Sequence, residues 1–181
     1  MSETEAMAVK KKQIFRKRAK VLADGIRGEA AARARLNVVE FRLAQERYAV
    51  ESAYVREVLP LKDLTPLPCT PPYVMGLINV RGQILSVIDL RVFFELPRKR
   101  ENGTMKVVIL HSGDMEFGIV ANTVEEARSV PLDEILPALP TMTGIRETYL
   151  KGIAGGDLVI LDAARLLADK NIVVNEHVEG E

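Results

Sequence analysis

One stretch constrains this chain more than any other: Val74-Met75-Gly76-Leu77-Ile78-Asn79-Val80-Arg81-Gly82-Gln83-Ile84-Leu85-Ser86-Val87-Ile88-Asp89-Leu90-Arg91. Two apolar runs flank the bend Asn79-Val80-Arg81-Gly82, and charge interrupts them only at the bend and at the exit. Runs of this length and composition predict strands over 74–80 and 83–88. Gly82 can supply a backbone angle that other residues resist, and Asn79 can hydrogen-bond the backbone beside it. The result is a rigid two-strand ribbon with one Arg at its tip. No nucleophile or metal-ligand cluster lies in or beside it, so binding is the first reading. Two roles for Arg81 stay open: a solvated turn residue, or a planar fork offered to a partner's carboxylate or helix terminus.

The rest of the body is punctuated in the same way. Alternation over Val38–Leu43, Arg47–Val50 and Val55–Leu59 predicts strands, with Glu57 on the face opposite Val58. A Pro-rich link follows, from Leu64 to Pro72, where ladder pairing is interrupted. Residues 106–111 and 115–120 form a predicted hairpin, and 150–154 and 158–161 another, with a strand over 124–130 between them and a short helix over 163–168 after. Many short strands with turns every eight to twelve residues indicate small barrels rather than a parallel sheet. Roughly ten strands suffice for two five-stranded barrels, although no repeat is evident at the residue level.

The N-terminal third differs. Residues 1–36 hold ten Lys/Arg against four Asp/Glu, while the whole chain of 181 residues is formally neutral. Residues 10–36 lack Pro and are rich in helix formers. Ile14 or Phe15, Ala19, Leu22 and Ile26 recur at spacings of three and four, along one side of a helix weakened by Gly25 and Gly28. The expected organisation is a basic helical extension over 1–36, a body over 37–170 and a tail over 171–181. A basic head on an acidic body suits contact with an acidic surface, or a solvated helix.

Enzyme signatures are missing from the sequence. His111 ends a strand beside a turn and His177 lies in the polar tail. Cys69 sits between Pro68 and Thr70 with no His nearby to activate it. No phosphate-cradling Gly motif and no zinc-ligand spacing occurs, so neither a cofactor nor a metal is expected. Asp89 and Asp162 each follow an apolar strand and precede a helix-forming run, which is N-cap chemistry. No apolar run approaches the ~20 residues of a membrane span, and the N-terminus has no signal-peptide core. A single cysteine fits a reducing compartment, so the expectation is a soluble cytoplasmic protein without catalytic chemistry.

The segment Gly76–Arg91, with its Gly-x-x-Asn-x-Arg-Gly and Val-Ile-Asp-Leu-Arg patterns, resembles the CheW-type chemotaxis coupling proteins. Val39-Glu40-Phe41, Tyr48-Ala49-Val50, Glu57-Val58, Pro71–Gly76, Gly118-Ile119-Val120, Tyr149–Gly152 and Leu158–Leu167 extend the resemblance over about residues 37–168. It implies a mainly β fold of two intertwined SH3-like five-stranded barrels. It implies a non-catalytic adaptor that couples the cytoplasmic tips of chemoreceptors to the regulatory domain of the histidine kinase CheA, with other copies of the coupling protein as further partners. The receptor tip is expected in a groove between the subdomains. Val55, Glu57, Gly76, Asn79 and Arg81 match the family's coupling positions, and Arg81 can also act from inside by bonding Glu57. Asn122 departs from the pattern, standing where the family has Asp. The alternative is a small-barrel nucleic-acid binder with a basic tail, which needs exposed aromatics beside a basic groove; aromatics make up only 5% of the chain.

Overall fold

The computed structural model describes residues 34–97, 103–137, 145–170 and 172. Eleven strands run β1 (Arg35–Leu43), β2 (Glu46–Glu51), β3 (Val55–Pro60), β4 (Val74–Val80), β5 (Gln83–Ile88), β6 (Lys106–Ser112), β7 (Met115–Ala121), β8 (Thr123–Pro131), β9 (Ile135–Leu136), β10 (Leu150–Ala154) and β11 (Leu158–Leu161). Three short helices, α1 (Leu90–Phe93), α2 (Ile145–Thr148) and α3 (Ala163–Ala168), and two 3-10 turns complete the described elements. The fold is mainly β.

The strands form a six-stranded sheet ordered β8-β1-β2-β11-β10-β9 and a five-stranded sheet ordered β3-β6-β7-β5-β4. The chain opens the first sheet, builds all of the second, and returns to finish the first. The expected intertwining is therefore literal: β11 lies parallel to β2, joining strands from the two ends of the body.

The two sheets repeat one plan. In each, a hairpin (β4–β5 or β10–β11) runs into an Asp-capped helix, and its second strand pairs in parallel with the second strand of another hairpin. The register slips between Val74 and Gly76 in one sheet and between Leu150 and Gly152 in the other. Asp89 N donates to Tyr73 O at 2.7 Å, and Asp162 N donates to Tyr149 O at 2.8 Å. These matches locate the residue-level repeat that the sequence reading did not find: Tyr73-Val74-Met75-Gly76 with Val87-Ile88-Asp89 corresponds to Tyr149-Leu150-Lys151-Gly152 with Ile160-Leu161-Asp162. Unequal hairpin lengths hide it, because Asp follows Gly by 13 residues in one copy and by 10 in the other.

Both glycines permit a close crossing. A Cβ on Gly76, whose φ is +145°, would lie 2.2 Å from Thr65 O, where Thr65 bridges Leu77 across the edge of the sheet. A Cβ on Gly152 would lie 2.6 Å from Leu136 O. The helix caps form as expected. The Asp89 carboxylate accepts from Arg91 N at 2.9 Å and also from the Arg91 guanidinium, and the Asp162 carboxylate accepts from Arg165 N at 3.0 Å.

Three apolar clusters hold the fold. One fills the five-stranded barrel, including Ile78, Leu85, Val107 and Ile109. A second fills the six-stranded side around Val38, Val130 and Ile160. The largest joins the two sheets: Phe41, Tyr48 and Leu161 meet Val108, Leu110 and Ile119, with α1 and α3 contributing Leu90, Phe93 and Leu166. Each such side chain, fully buried, contributes ~1.5–3 kcal/mol.

Two boundaries need correction. Most of the expected N-terminal helix lies outside the described residues, but Arg35 and Leu36 belong to β1, paired with Pro131 and Val130. Leu36 shares the alternation of Val38 and packs against the six-stranded side's core, so ladder pairing overrides its helix propensity. Ile172, assigned to the tail, is buried in the shared core.

Two measurements check these points. Gly76→Ala should cost ~2 kcal/mol or more through strain and collision with Thr65, lowering Tm by about 4–8 °C, while Gly103→Ala, at an open position, should stay within ~0.5 kcal/mol. The Tyr149 hydroxyl donates to Asp169, and burial, then that carboxylate, pushes the phenol's pKa up from 10.0. A raised folded-state pKa stabilises below the unfolded value and loses that contribution as pH rises through the folded value. The stability gap between wild type and Tyr149→Phe in urea titrations should therefore narrow above pH ~10.

Candidate partner-binding surface

All five residues singled out by sequence lie in the five-stranded sheet. Val55 and Glu57 are on β3, Gly76 and Asn79 on β4, and Arg81 in the β4–β5 turn. β3 and β4 stand at opposite ends of the sheet order, yet Arg81 Nη2 donates to Glu57 Oε2 at 2.9 Å. The ion pair crosses the seam where the sheet curls on itself into a barrel.

The turn is built to present Arg81. Arg81 and Gly82 both have positive φ, +53° and +89°, as a two-residue turn matching strand twist requires. Asn79 Oδ1 accepts from Gly82 N at 2.7 Å and pins the bend. A non-glycine residue in the left-handed region costs ~1–2 kcal/mol, so the Arg side chain stands where backbone sterics disfavour it. Its side chain is 75% exposed, and a pair this open contributes ~0–1 kcal/mol. One of its five N–H donors is used and the others face solvent.

Glu57 is the inward partner. It faces the barrel interior beside Ile109 with its side chain only 16% exposed, while Val58 points outward, as the alternation predicts. Its Oε1 is buried without a hydrogen bond, 3.8 Å from Arg56 Nε. A register slip between Val55 and Glu57 turns Arg56 outward. There Arg56 Nη1 donates to both oxygens of Glu116, at 2.6 and 2.8 Å, and Gln83 Nε2 donates to Glu116 Oε2 at 2.8 Å. The Glu116 carboxylate, through its hydrogen bond to Arg56, holds the Arg56 pKa above its usual value. Two guanidiniums thus lie over two sunken carboxylates, and Ile84, 58% exposed, sits on β5 opposite Asn79. Sequence reasoning missed the Arg56–Gln83–Glu116 cluster and Ile84, because only barrel closure brings β3, β5 and β7 together.

Gly76 stands apart from this group. It lies at the far end of β4 from the turn and serves the crossing with Thr65. Val55 is half-buried, packed against the shared core two residues before Glu57. Asn122, the departure from the family pattern, has a role of its own: Oδ1 accepts from Ala44 N at 3.0 Å and its N donates to Arg42 O at 2.9 Å, tying the β7–β8 crossing to the β1–β2 turn.

A groove of about 430 Å³ opens between β3 and β8, the free edges of the two sheets. Val58, Val39, Val124 and Ala127 give it an apolar floor, and Lys106 and Glu125 stand among its lining residues.

Comparison with known proteins decides the family. The CheW-like domain model matches residues 37–171. The chain belongs to the CheW-like family. It is 29% identical over 142 residues to the chemotaxis protein CheW of Treponema pallidum, covering 75% of this chain and 84% of that protein. It is 38% identical over 97 residues to protein FrzA of Myxococcus xanthus, covering 54% of this chain and 61% of that protein. The crystal structure of the scaffolding protein TtCheW from Thermoanaerobacter tengcongensis superposes with a TM-score of 0.67 at 27% identity, over 77% of this chain and 92% of that one. This CheW-like chain is accordingly an adaptor of chemotaxis-type signalling, in a family of scaffolds. The nucleic-acid alternative fails on the aromatics: Phe41, Tyr48, Phe93, Phe94, Phe117 and Tyr149 are buried and Tyr54 and Tyr73 pack against the core, leaving no stacking platform among the described residues. No group of residues that could hold a metal ion occurs among the described residues.

Arg81→Ala should change unfolding free energy by less than ~1 kcal/mol in urea titrations, since the pair is open to solvent. Glu57→Ala should cost more, ~2 kcal/mol, because it empties space at the end of the barrel core. A large stability loss in Arg81→Ala and none in Glu57→Ala would invert these roles.

Proposed function

We propose that this adaptor couples the cytoplasmic tips of chemoreceptors to the regulatory domain of the histidine kinase CheA, working in the cytoplasm with no chemistry of its own. Val55, Glu57, Asn79 and Arg81 form the coupling surface on the five-stranded barrel, and Gly76 supports it by holding the linker against β4. The observation that carries this reading is the side chain of Arg81. It is presented at 75% exposure on a strained, pinned turn and contributes little to folding. A residue placed at a conformational cost and left open to solvent is suited to a partner. Orientation and partner choice come from Arg81 and Arg56, whose donors meet carboxylates or helix ends, while Ile84 and Val58 supply apolar burial.

The groove between β3 and β8 suits a helical receptor tip, and the kinase's regulatory domain, itself a pair of such barrels in this family, docks barrel to barrel. Further copies of the coupling protein can use the same surfaces. Signalling then needs only differential affinity. An adaptor that binds one receptor or kinase arrangement more tightly than another transmits a coupling free energy, typically ~1–3 kcal/mol, in both directions. No helix among the described residues is long and apolar enough to cross a membrane, so attachment to receptors goes through protein contacts in this scheme.

Calorimetry with purified kinase regulatory domain and receptor tip tests the reading. Binding is expected to at least one at micromolar strength, weakened about tenfold or more by Arg81→Ala, with Tm little changed. No binding to either at tens of micromolar would overturn it.

A further inference from the structure

We propose that Glu116 and Gln83 are positioning residues that hold Arg56 as a second contact beside Arg81, and that the two guanidiniums together read a pair of carboxylates on one face of a partner helix. This role deepens the coupling function and rests on the five-stranded barrel being the docking surface.

The first support is how Arg56 is held. Nη1 alone carries its hydrogen bonds, to Glu116 Oε1 and Oε2 at 2.6 and 2.8 Å and to Gln83 Oε1 at 3.0 Å. Gln83 Nε2 in turn donates to Glu116 Oε2 at 2.8 Å, so side chains from β3, β5 and β7 close a triangle. An Arg paired with a carboxylate for its own sake frequently uses two parallel N–H groups from two nitrogens. Here the edge formed by Nε and Nη2 makes no hydrogen bond among the described residues, and Nε stands 3.8 Å from Glu57 Oε1. The triangle fixes the head group and leaves unused the edge that matches a carboxylate.

The second support is the layering of charge. The side chains of Glu57 and Glu116 are 16% and 11% exposed, against 75% and 37% for Arg81 and Arg56. The acids sink toward the barrel and the bases stand outside them. A group with two charges of each sign therefore shows N–H donors to solvent, and a carboxylate approaching from outside meets those donors first.

The third support is spacing. Both guanidiniums approach the same Glu57 carboxylate, Arg81 at 2.9 Å and Arg56 at 3.8 Å, so they stand side by side. Acidic residues three or four apart on a helix have Cβ atoms ~5–6 Å apart and present their carboxylates in the same way. A single acid would engage one fork only, and a basic segment would face two cations.

Calorimetry on the full chain, with purified kinase regulatory domain and receptor tip in turn, tests the docking role. Arg56→Lys keeps the charge and loses the fork, and should weaken binding of one of the two about tenfold. Glu116→Gln should weaken the same partner about fivefold, and should have no effect in an Arg56→Ala background, because Glu116 acts through Arg56. Equal losses in both backgrounds, or wild-type affinity in Arg56→Lys, would show that the triangle only closes the barrel and would overturn the proposal. Neutralising the partner's helical acid pairs one at a time should find a pair whose loss removes the Arg56→Lys effect; if none does, the carboxylate-pair assignment falls. Nitrogen NMR of the Arg56 guanidinium needs no partner. Rotation of its Nη1 group should be slow in wild type and faster in Glu116→Gln and in Gln83→Ala, and equal rates in all three overturn the positioning. Gln83 is exposed, so Gln83→Ala keeps the test open if thermal melts show that Glu116→Gln damages the fold. A wild-type chain that binds neither partner sinks the coupling role itself, an outcome distinct from binding that is indifferent to Arg56.

Discussion

The parallel pairing of β11 with β2 is the constraint on which the rest of the fold depends. Leu158, Val159 and Ile160 lie beside Arg47, Tyr48 and Ala49, joining strands more than a hundred residues apart. Without that ladder the six-stranded sheet would fall into two three-stranded pieces, β8-β1-β2 and β11-β10-β9. The same pairing seats Leu161 and α3 against Phe41 and Tyr48, so it also forms the core between the sheets. Loop-closure entropy opposes so distant a contact, and the burial of Leu158, Ile160 and Leu161 offsets it.

The candidate surface inherits its geometry from the other sheet's closure. Arg81 and Glu57 belong to strands at opposite ends of the five-stranded order, and they meet only because the sheet curls. Arg56, Gln83 and Glu116 gather for the same reason. The energetics divide accordingly: apolar packing of Ile78, Leu85, Val107 and Ile109 holds the barrel, and the charged groups at its end arrange a surface at little net gain in stability. Two placements carry a cost: Arg81 stands at positive φ, and Glu57 keeps one buried oxygen without a hydrogen bond, offset by the packing of its stem at the end of the barrel core.

Local elements were legible in the sequence wherever one short-range rule governed. The alternation and the Arg-Gly bend placed β4 and β5 to the residue, and Asp89 and Asp162 announced the helices they cap. What stayed hidden was set by long-range geometry. The repeat of Tyr73–Gly76 in Tyr149–Gly152 is masked by unequal hairpins. The start of β1 at Arg35 lies in a stretch whose composition favours helix. Within the site, Glu57 and Arg81 could be named from the family resemblance, which also offered their contact as one of the roles of Arg81; that Arg81 has positive φ and that Gly76 serves a crossing instead of the surface depend on backbone positions no local pattern encodes.

The chain passes between the two sheets twice, and both passages are short. Ser52–Tyr54 form a single 3-10 turn between β2 and β3, and Asn122 alone separates β7 from β8, itself bonded to Arg42 and Ala44. Two covalent crossings define an axis and leave one rotation between the barrels, and the aromatic cluster of Phe93, Phe94 and Tyr149, packed with both sheets, opposes it. With only these two short crossings and one shared apolar core between them, the two barrels have little slack in the chain and a common packed interior.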